Sequence, residues 1–393
     1  MSVISLTPPG KISLTALPSL SLYIHIPWCL KKCPYCDFNS HEAREAVPEK
    51  AYIAALRSDL EQALPQIWGR RVSTVFFGGG TPSLFSAEGI DEITTTARML
   101  LNLPPDTEIT LEANPGTFER EKFQDFHAAG VNRLSLGIQS FNPAYLKALG
   151  RVHDDAQARE AAGAAREIFG RMNLDLIYGL PQQSVADLLA DVETALSFRP
   201  DHLSCYHLTI EPNTLFHRYP PANLPDDEVT AQMQEDLEAR LAAAGFEHYE
   251  TSAFSLPQQA SRHNLNYWRF GDYLGIGAGA HSKISFPDRI VRQMRHKQPR
   301  VYIDGVAAGR PVQEQHEIAR ADLPFEFMMN ALRLTGGFPV WLFEERTGLP
   351  VSVIEHQLQQ AETKDLIVRT HESIAPTPLG QRFLNELLQL FLD

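Results

Sequence analysis

The chain has 393 residues with 44% hydrophobic content, enough for one large domain plus a smaller one and too apolar for a disordered segment. Its formal net charge of -13 at pH 7 argues against a nucleic-acid binder, which needs a basic face to track phosphates. The first twenty residues lack the basic-then-apolar order of a signal peptide, and no run approaches the roughly 18 apolar residues of a spanning helix. A cytoplasmic protein with no transmembrane segment is expected, with peripheral membrane contact left open.

In chain order, β-rich apolar runs occur at LSLYIHIP (20–27), STVFFGG (73–79), EITLEAN (108–114), RLSLGIQS (133–140), NLDLIYGLP (173–181) and HLSCYHLTI (202–210). Helical patterns lie between them, as in PEKAYIAALRSDLEQAL (48–64), FEREKFQDFHAAG (118–130) and SVADLLADVETALSF (184–198). Such alternation predicts parallel strands with crossover helices, and six units are too few for a complete eight-stranded barrel. Ligand sites of parallel βα sheets lie at the carboxyl ends of the strands. The cysteine loop, GGGTP, EAN, IQSF and YGLP all fall there and are expected to converge on one mouth.

After about residue 300 the pattern changes. QEQHEIARADLPFEFMMNALRLTGGF and the segments that follow read as consecutive helices with Gly-containing turns, closed by an amphipathic helix. The predicted organisation is an N-terminal extension (1–20), a barrel (21–304) and a small, mostly helical, winged-helix-like domain (305–393).

The chemistry concentrates in WCLKKCPYC. Cys29, Cys33 and Cys36 stand at CxxxCxxC spacing, and the remaining cysteine, Cys205, reads as a small buried hydrophobe. Three clustered thiols do not make a disulfide framework; they point to metal binding or reactivity. A closed zinc site would need a fourth ligand, with His25 or His41 nearby. An iron–sulfur cubane held by three cysteines instead keeps one iron open, and S-adenosylmethionine carries an amine and a carboxylate that suit it.

The ordered motifs YIHIPWCxxxCxYC, FFGGGTPS, LEANPGT, RLSLGIQSF, LGRVH and DLIYGLP resemble the radical S-adenosylmethionine (SAM) superfamily. Within it the resemblance is to the branch of oxygen-independent coproporphyrinogen oxidase and its relative HemW, the haem chaperone, from Leu20 to the C-terminus. It implies a partial (β/α)6 TIM-like barrel of the α/β class. It also implies a [4Fe-4S] cluster on Cys29, Cys33 and Cys36, and SAM as cofactor. By the same resemblance Tyr23, Gly79, Gly80, Thr81 and Glu112 contact SAM. Gln139, Arg151 and Asp175 match positions that meet a second SAM in the oxidases. A strand-packed tyrosine, a glycine turn, an exposed acid and structural polar groups are the bland alternatives at these positions.

Two departures weaken the oxidase reading: Phe38 stands where the oxidases carry a further cysteine, and only about twenty residues precede the cluster strand. HNLNYW (263–268) resembles the HNxxYW motif of the haem chaperones, with His263 as a candidate haem ligand and Tyr267 and Trp268 as porphyrin neighbours. Its bland alternative is a turn cap beside buried aromatics. The resemblance thus leans toward a haem chaperone serving acceptor haemoproteins such as respiratory-chain enzymes. Coproporphyrinogen decarboxylation is the enzymatic alternative, and a homodimer is left open. The Gly-rich GIGAGAHS (275–282) reads as a loop over the cofactor or a tight turn, and His153 as solvent-facing.

Overall fold

The computed structural model describes residues 12–116 and 119–392. Most of the N-terminal extension and Thr117 of the LEANPGT motif lie outside the described residues. The core is a twelve-stranded sheet. In chain order its strands are β1 (Leu20–Ile26), β2 (Val72–Gly79), β3 (Glu108–Ala113), β4 (Arg133–Gln139), β5 (Arg171–Tyr178), β6 (His202–His207), β7 (Glu247–Glu250), β8 (Ala253–Ser255), β9 (Asp272–Ile276), β10 (His281–Phe286), β11 (Arg289–Arg295) and β12 (Val312–Glu317). They lie in the order β12-β11-β10-β9-β1-β2-β3-β4-β5-β6-β8-β7.

Strands β1 to β6 are mutually parallel, as the alternating pattern predicts. A seventh parallel strand, β9, pairs with β1 in the register Tyr23 to Gly275. Its last two residues, Gly275 and Ile276, open GIGAGAHS, so the start of that glycine-rich stretch is strand rather than loop. Beyond β9 the sheet turns antiparallel, and it ends at β12. That last strand is QEQHE with its preceding Val312, which helical patterning had assigned to the C-terminal domain. It is a strand because it extends the ladder of β11, a tertiary pairing that local pattern does not encode.

The crossover helices include Glu49–Ile67, Ala87–Leu100, Glu119–Ala128, Asp155–Ile168 and Val185–Ser197. Several start where the sequence supplies a cap: Asp154 with Gln157 and Ser184 with Asp187 form reciprocal capping boxes. Along each barrel strand one face is apolar and packs under these helices, as with Leu134, Leu136 and Ile138 of β4. On β3, β4 and β5 the other face is polar or small: Arg133, Ser135 and Gly137 on β4, Asn173 and Asp175 on β5, Thr110 and Glu112 on β3. This period-2 alternation is what an open barrel with a wet interior requires.

A second hydrophobic core unites Phe327, Phe338, Phe343 and Leu358 of the C-terminal region with Ile290 of the sheet and Phe270 of the turn before β9. Ile12 and Leu14 from the N-terminal segment are buried in the same cluster. That region combines helices Leu323–Ala331, Val340–Thr347 and Glu355–Thr363 with a three-stranded sheet of Phe338–Pro339, Ser373–Pro376 and Ile367–Arg369. Helices beside a small antiparallel sheet give it the winged-helix-like character that the sequence suggests.

Candidate functional site

Pro27 follows strand β1, and the chain then forms the short strand Trp28–Cys29, which pairs in parallel with His41–Glu42. That pairing closes residues 30–40 into a loop whose base is held by His41 N–H to the Pro27 carbonyl (2.7 Å) and Ala43 N–H to the Cys29 carbonyl (2.9 Å). Inside it, Cys36 N–H donates to the Cys33 carbonyl (3.2 Å) and Lys32 Nζ to the Phe38 carbonyl (3.0 Å). Gly80 and Thr81 donate backbone N–H groups to Ile26 and Trp28, stitching the glycine loop to the base of the cysteine loop. This contact needs glycine: a Cβ on Gly80 would lie 2.4 Å from the Trp28 carbonyl oxygen, and Gly79 has φ +117° with the His25 ring 2.6 Å from its Cβ position.

All three cluster-motif cysteines line one cavity of about 580 Å³ at the carboxyl ends of β1 to β6, together with Gly79, Gly80, Thr81, Glu112, Gln139, Arg151 and Asp175. Four of the five expected motifs therefore converge. YGLP does not reach the cavity wall, since Leu180 packs instead with Tyr145, Leu149 and Phe216 in a satellite cluster. Asn114, the last residue of EAN, joins the parts by donating to Thr81 Oγ1 (2.9 Å) and accepting from Arg151. Arg151 also donates to Gly137 O (2.9 Å), Cys33 Sγ (3.6 Å) and Tyr35 Oη (3.5 Å). Gln139 sits on the wall at φ 69°, a conformation uncommon for a non-glycine residue, where β4 shifts register against β5.

Burial sets the electrostatics. Glu112, which accepts from Gly79 N–H (3.2 Å), is pushed up to about 8 by burial and then by the Asp175 charge, so its carboxyl is neutral at pH 7. Asp175 is raised by burial while Asn173 Nδ2 (2.8 Å) and Ser135 Oγ (3.3 Å) hydrogen-bond it. Burial also pushes the Cys29 and Cys36 thiols up. His25 is held down to about 4 by burial, its Nδ1 at 2.9 Å from Tyr23 Oη and its Nε2 at 2.9 Å from Asn39 O. His41 turns Nε2 to the Lys297 carbonyl (3.3 Å). Both histidines considered as a fourth zinc ligand are thus engaged elsewhere.

Tyr23 lines an adjoining cavity of about 360 Å³, with Tyr267, Tyr273 and His281; Phe38, Gly79 and Glu112 line both. The HNLNYW segment forms the short helix Arg262–Trp268 at the amino end of the barrel. His263 is 1% exposed, with Nδ1 at 2.8 Å from Thr74 Oγ1, Nε2 at 3.1 Å from Tyr267 Oη and its ring stacked on Phe76 at 4.8 Å. Burial holds it down to about 3. Trp268 lies under the Arg333 guanidinium at 4.3 Å. Neither His263 nor Trp268 lines either cavity. His153, expected at the surface, is buried with Nε2 at 3.1 Å from Ile138 O, because Arg151 draws that loop inward. Asn39, Asn114 and Arg133 were not singled out from the sequence. For Arg133 the signal was present, as the first polar position of the alternation in RLSLGIQ.

Comparison with known proteins adds to this geometry. The Radical SAM superfamily matches residues 23–195, and the HemN C-terminal domain matches residues 318–383, beginning where β12 ends. A heme chaperone HemW of Escherichia coli strain K12 is 48% identical over 378 residues, covering 96% of this chain and 99% of that protein. The chain belongs to the HemW family of radical SAM proteins. The HemW of Haemophilus influenzae is 46% identical, covering 96% of this chain and 98% of that protein, and the HemW of Bacillus subtilis is 34% identical, with 95% and 99% covered. The fold also matches the solved structure of Escherichia coli coproporphyrinogen III oxidase (HemN), described as a radical SAM enzyme. Its TM-score is 0.81 at 24% identity, over 95% of this chain and 90% of that one. HemW membership and the shared fold account for the order of motifs from the cysteine loop to β5.

Proposed function

We propose that this chain is a haem chaperone, a carrier rather than an enzyme, which binds haem and passes it to acceptor haemoproteins such as respiratory-chain enzymes in the cytoplasm. The observation that carries the reading is the 48% identity, over nearly the whole of both chains, to a protein named heme chaperone HemW. No helix among the described residues is long and apolar enough to cross a membrane.

The mouth of the barrel fits the cofactors that the family implies. Cys29, Cys33 and Cys36 would hold a [4Fe-4S] cluster, since three thiols share one loop and the two neighbouring imidazoles are committed elsewhere. Such a cluster with an open iron supplies a binding point for the amine and carboxylate of SAM and an electron for radical chemistry. Around it, the backbone at Gly79 and Gly80 leaves room for the methionine portion, Thr81 is oriented by Asn114, and Glu112 offers an acceptor for ribose hydroxyls or an ammonium. Tyr23 approaches through the second cavity. Gln139, Arg151 and Asp175 form the far wall, where a second SAM is part of the proposal. Haem contact with the 263–268 segment is proposed through Tyr267, which faces a cavity; His263 would first have to leave Thr74 and Tyr267.

The test is an anaerobic titration of haem into the reconstituted protein, followed at the Soret band, and then mixing with an apo-haemoprotein. Saturable, stoichiometric binding at micromolar haem and transfer to the acceptor are expected. Absence of specific binding, together with decarboxylation of coproporphyrinogen III by the reduced protein with SAM, would overturn the carrier reading in favour of the oxidase.

A further inference from the structure

The interior of the barrel holds a charged group that the roles above leave unused. Arg133, the first residue of β4, is 3% exposed and lines the main cavity. Its guanidinium has no hydrogen-bond partner among the described residues, although it carries five N–H donors. Every other buried arginine or lysine of the sheet is paired: Arg295 with Asp59 (3.0 Å) and Lys283 with Asp272 (3.0 Å). Glu112 and Asp175 are its electrostatic neighbours, but each is committed to other donors, Glu112 to Gly79 and Asp175 to Asn173 and Ser135. Asn264, from the HNLNYW helix, lines the same cavity, and its side-chain amide also lacks a partner among the described residues.

A buried guanidinium without partners is expensive, and proteins keep such groups where a ligand completes them. The planar fork of arginine matches a carboxylate through two parallel hydrogen bonds, and the Asn264 amide on the wall of the same cavity offers a further donor. We propose that Arg133, supported by Asn264, is a carboxylate-binding residue on the floor of the barrel that engages an acidic group of the ligand inside it. The inference rests on the reading that haem and SAM are the ligands. Either supplies the chemistry, haem through a propionate and a second SAM, one not held on the cluster, through its methionyl carboxylate.

The two sources separate with esters and decarboxylated analogues. Haem and its dimethyl ester are titrated into wild-type protein and Arg133→Met, and SAM and decarboxylated SAM are titrated by calorimetry into the same pair. Losing a charge-assisted bidentate contact is expected to weaken one acid ligand by about 10- to 100-fold. The matching ester or decarboxylated analogue should bind both proteins equally. Loss confined to haem assigns a propionate, and loss confined to SAM assigns the methionyl carboxylate.

Thermal melts of the ligand-free proteins give an independent readout. A structural arginine would lower the melting temperature when replaced, whereas an unpaired one kept for a ligand leaves it unchanged or raised. Equal binding of both acids to wild type and Arg133→Met, or equal losses for acid and analogue with a lowered melt, would overturn the inference. If wild type binds no haem, the carrier reading fails and the SAM arm alone decides the role of Arg133. If it binds neither, both fall.

Discussion

The wall beside the cysteine loop is held by a buried ion pair whose removal has a calculable cost. Asp59, fully buried on the helix Glu49–Ile67, accepts from Arg295 Nε (3.1 and 3.2 Å), from Tyr302 Oη (2.8 Å) and from Gly277 N–H (3.5 Å). Arg295 is 1% exposed and also reaches Gln293 Oε1 (3.0 Å). Replacing one partner leaves the other charge buried and uncompensated, at about 3–5 kcal/mol. Replacing both by apolar residues removes the orphaned charge, leaving mainly the lost acceptor of Tyr302, about 1–3 kcal/mol. Urea unfolding followed by circular dichroism should thus show Asp59→Leu and Arg295→Met each lowering the midpoint by about 1 M or more, taking a slope of ~3 kcal/mol/M. The double variant should be less destabilised than Asp59→Leu alone. Because Asn39 Nδ2 anchors the cysteine loop to Ala278 O (3.0 Å) and Lys297 O (2.9 Å) on this wall, both single variants should also lose reconstituted iron faster. Single losses below about 1 kcal/mol, or a double variant equal to the sum of the singles, would refute the argument.

Glu112 holds its proton up to about pH 8, so under the proposed role the SAM hydroxyl or ammonium groups would meet a neutral acid at pH 7. Calorimetric affinity should rise between about pH 6.5 and 8.5, by at most tenfold per unit below that value, and Glu112→Gln should flatten the profile; an unchanged profile in Glu112→Gln rules this role out. His25 and His153 stay neutral down to about 4, and His263 to about 3, against an unfolded value near 6.5. Protons therefore favour the unfolded chain, and stability that is complete above pH 6.5 is lost as the pH falls, by up to ~1.4 kcal/mol per unit for each histidine. Urea midpoints at about pH 7.5, 6 and 5 check this, and a flat series contradicts it. His263→Ala should cost about 1–3 kcal/mol in ligand-free protein, because Thr74 and Tyr267 lose a buried partner. Loss of haem binding with no change in the melt would instead place His263 on the haem.

The six parallel strands and their helices were legible because each carries its own turn and cap signals, and the bounds of β1 to β6 fall within three residues of the patterned runs. The mouth was legible for the same reason: residues at strand ends share a location whenever the strands share a direction. What escaped was tertiary. β9 (DYLGI) is short and runs into a glycine-rich loop, so it stands out as a strand only where β1 offers it a ladder, and β12 is polar enough to pass for helix until β11 pairs with it. The adjacency of HN in HNLNYW concealed a division of labour that only packing reveals, since His263 turns to Thr74 while Asn264 turns to the cavity.

The two ends of the barrel impose different demands on that segment. At the amino end, Glu108 accepts from the backbone N–H of Arg262 (3.3 Å) and His263 (3.1 Å), a carboxylate on the first turn of a helix, and Arg171 neutralises it from the other side. Asn266 ties the helix to Ser21 Oγ (2.9 Å) and Asp272 O (2.8 Å). These contacts make the helix a plug that closes the floor while the opposite end stays open. A plug fixed so firmly can present Asn264 and Tyr267 to the interior at defined positions, which a mobile loop could not do. Its histidine is then the residue that locks the floor, and its asparagine and tyrosine are the residues within reach of a ligand. The polar character of the segment therefore follows from two needs at once, sealing one end of a wet barrel and lining part of its two cavities through Asn264 and Tyr267.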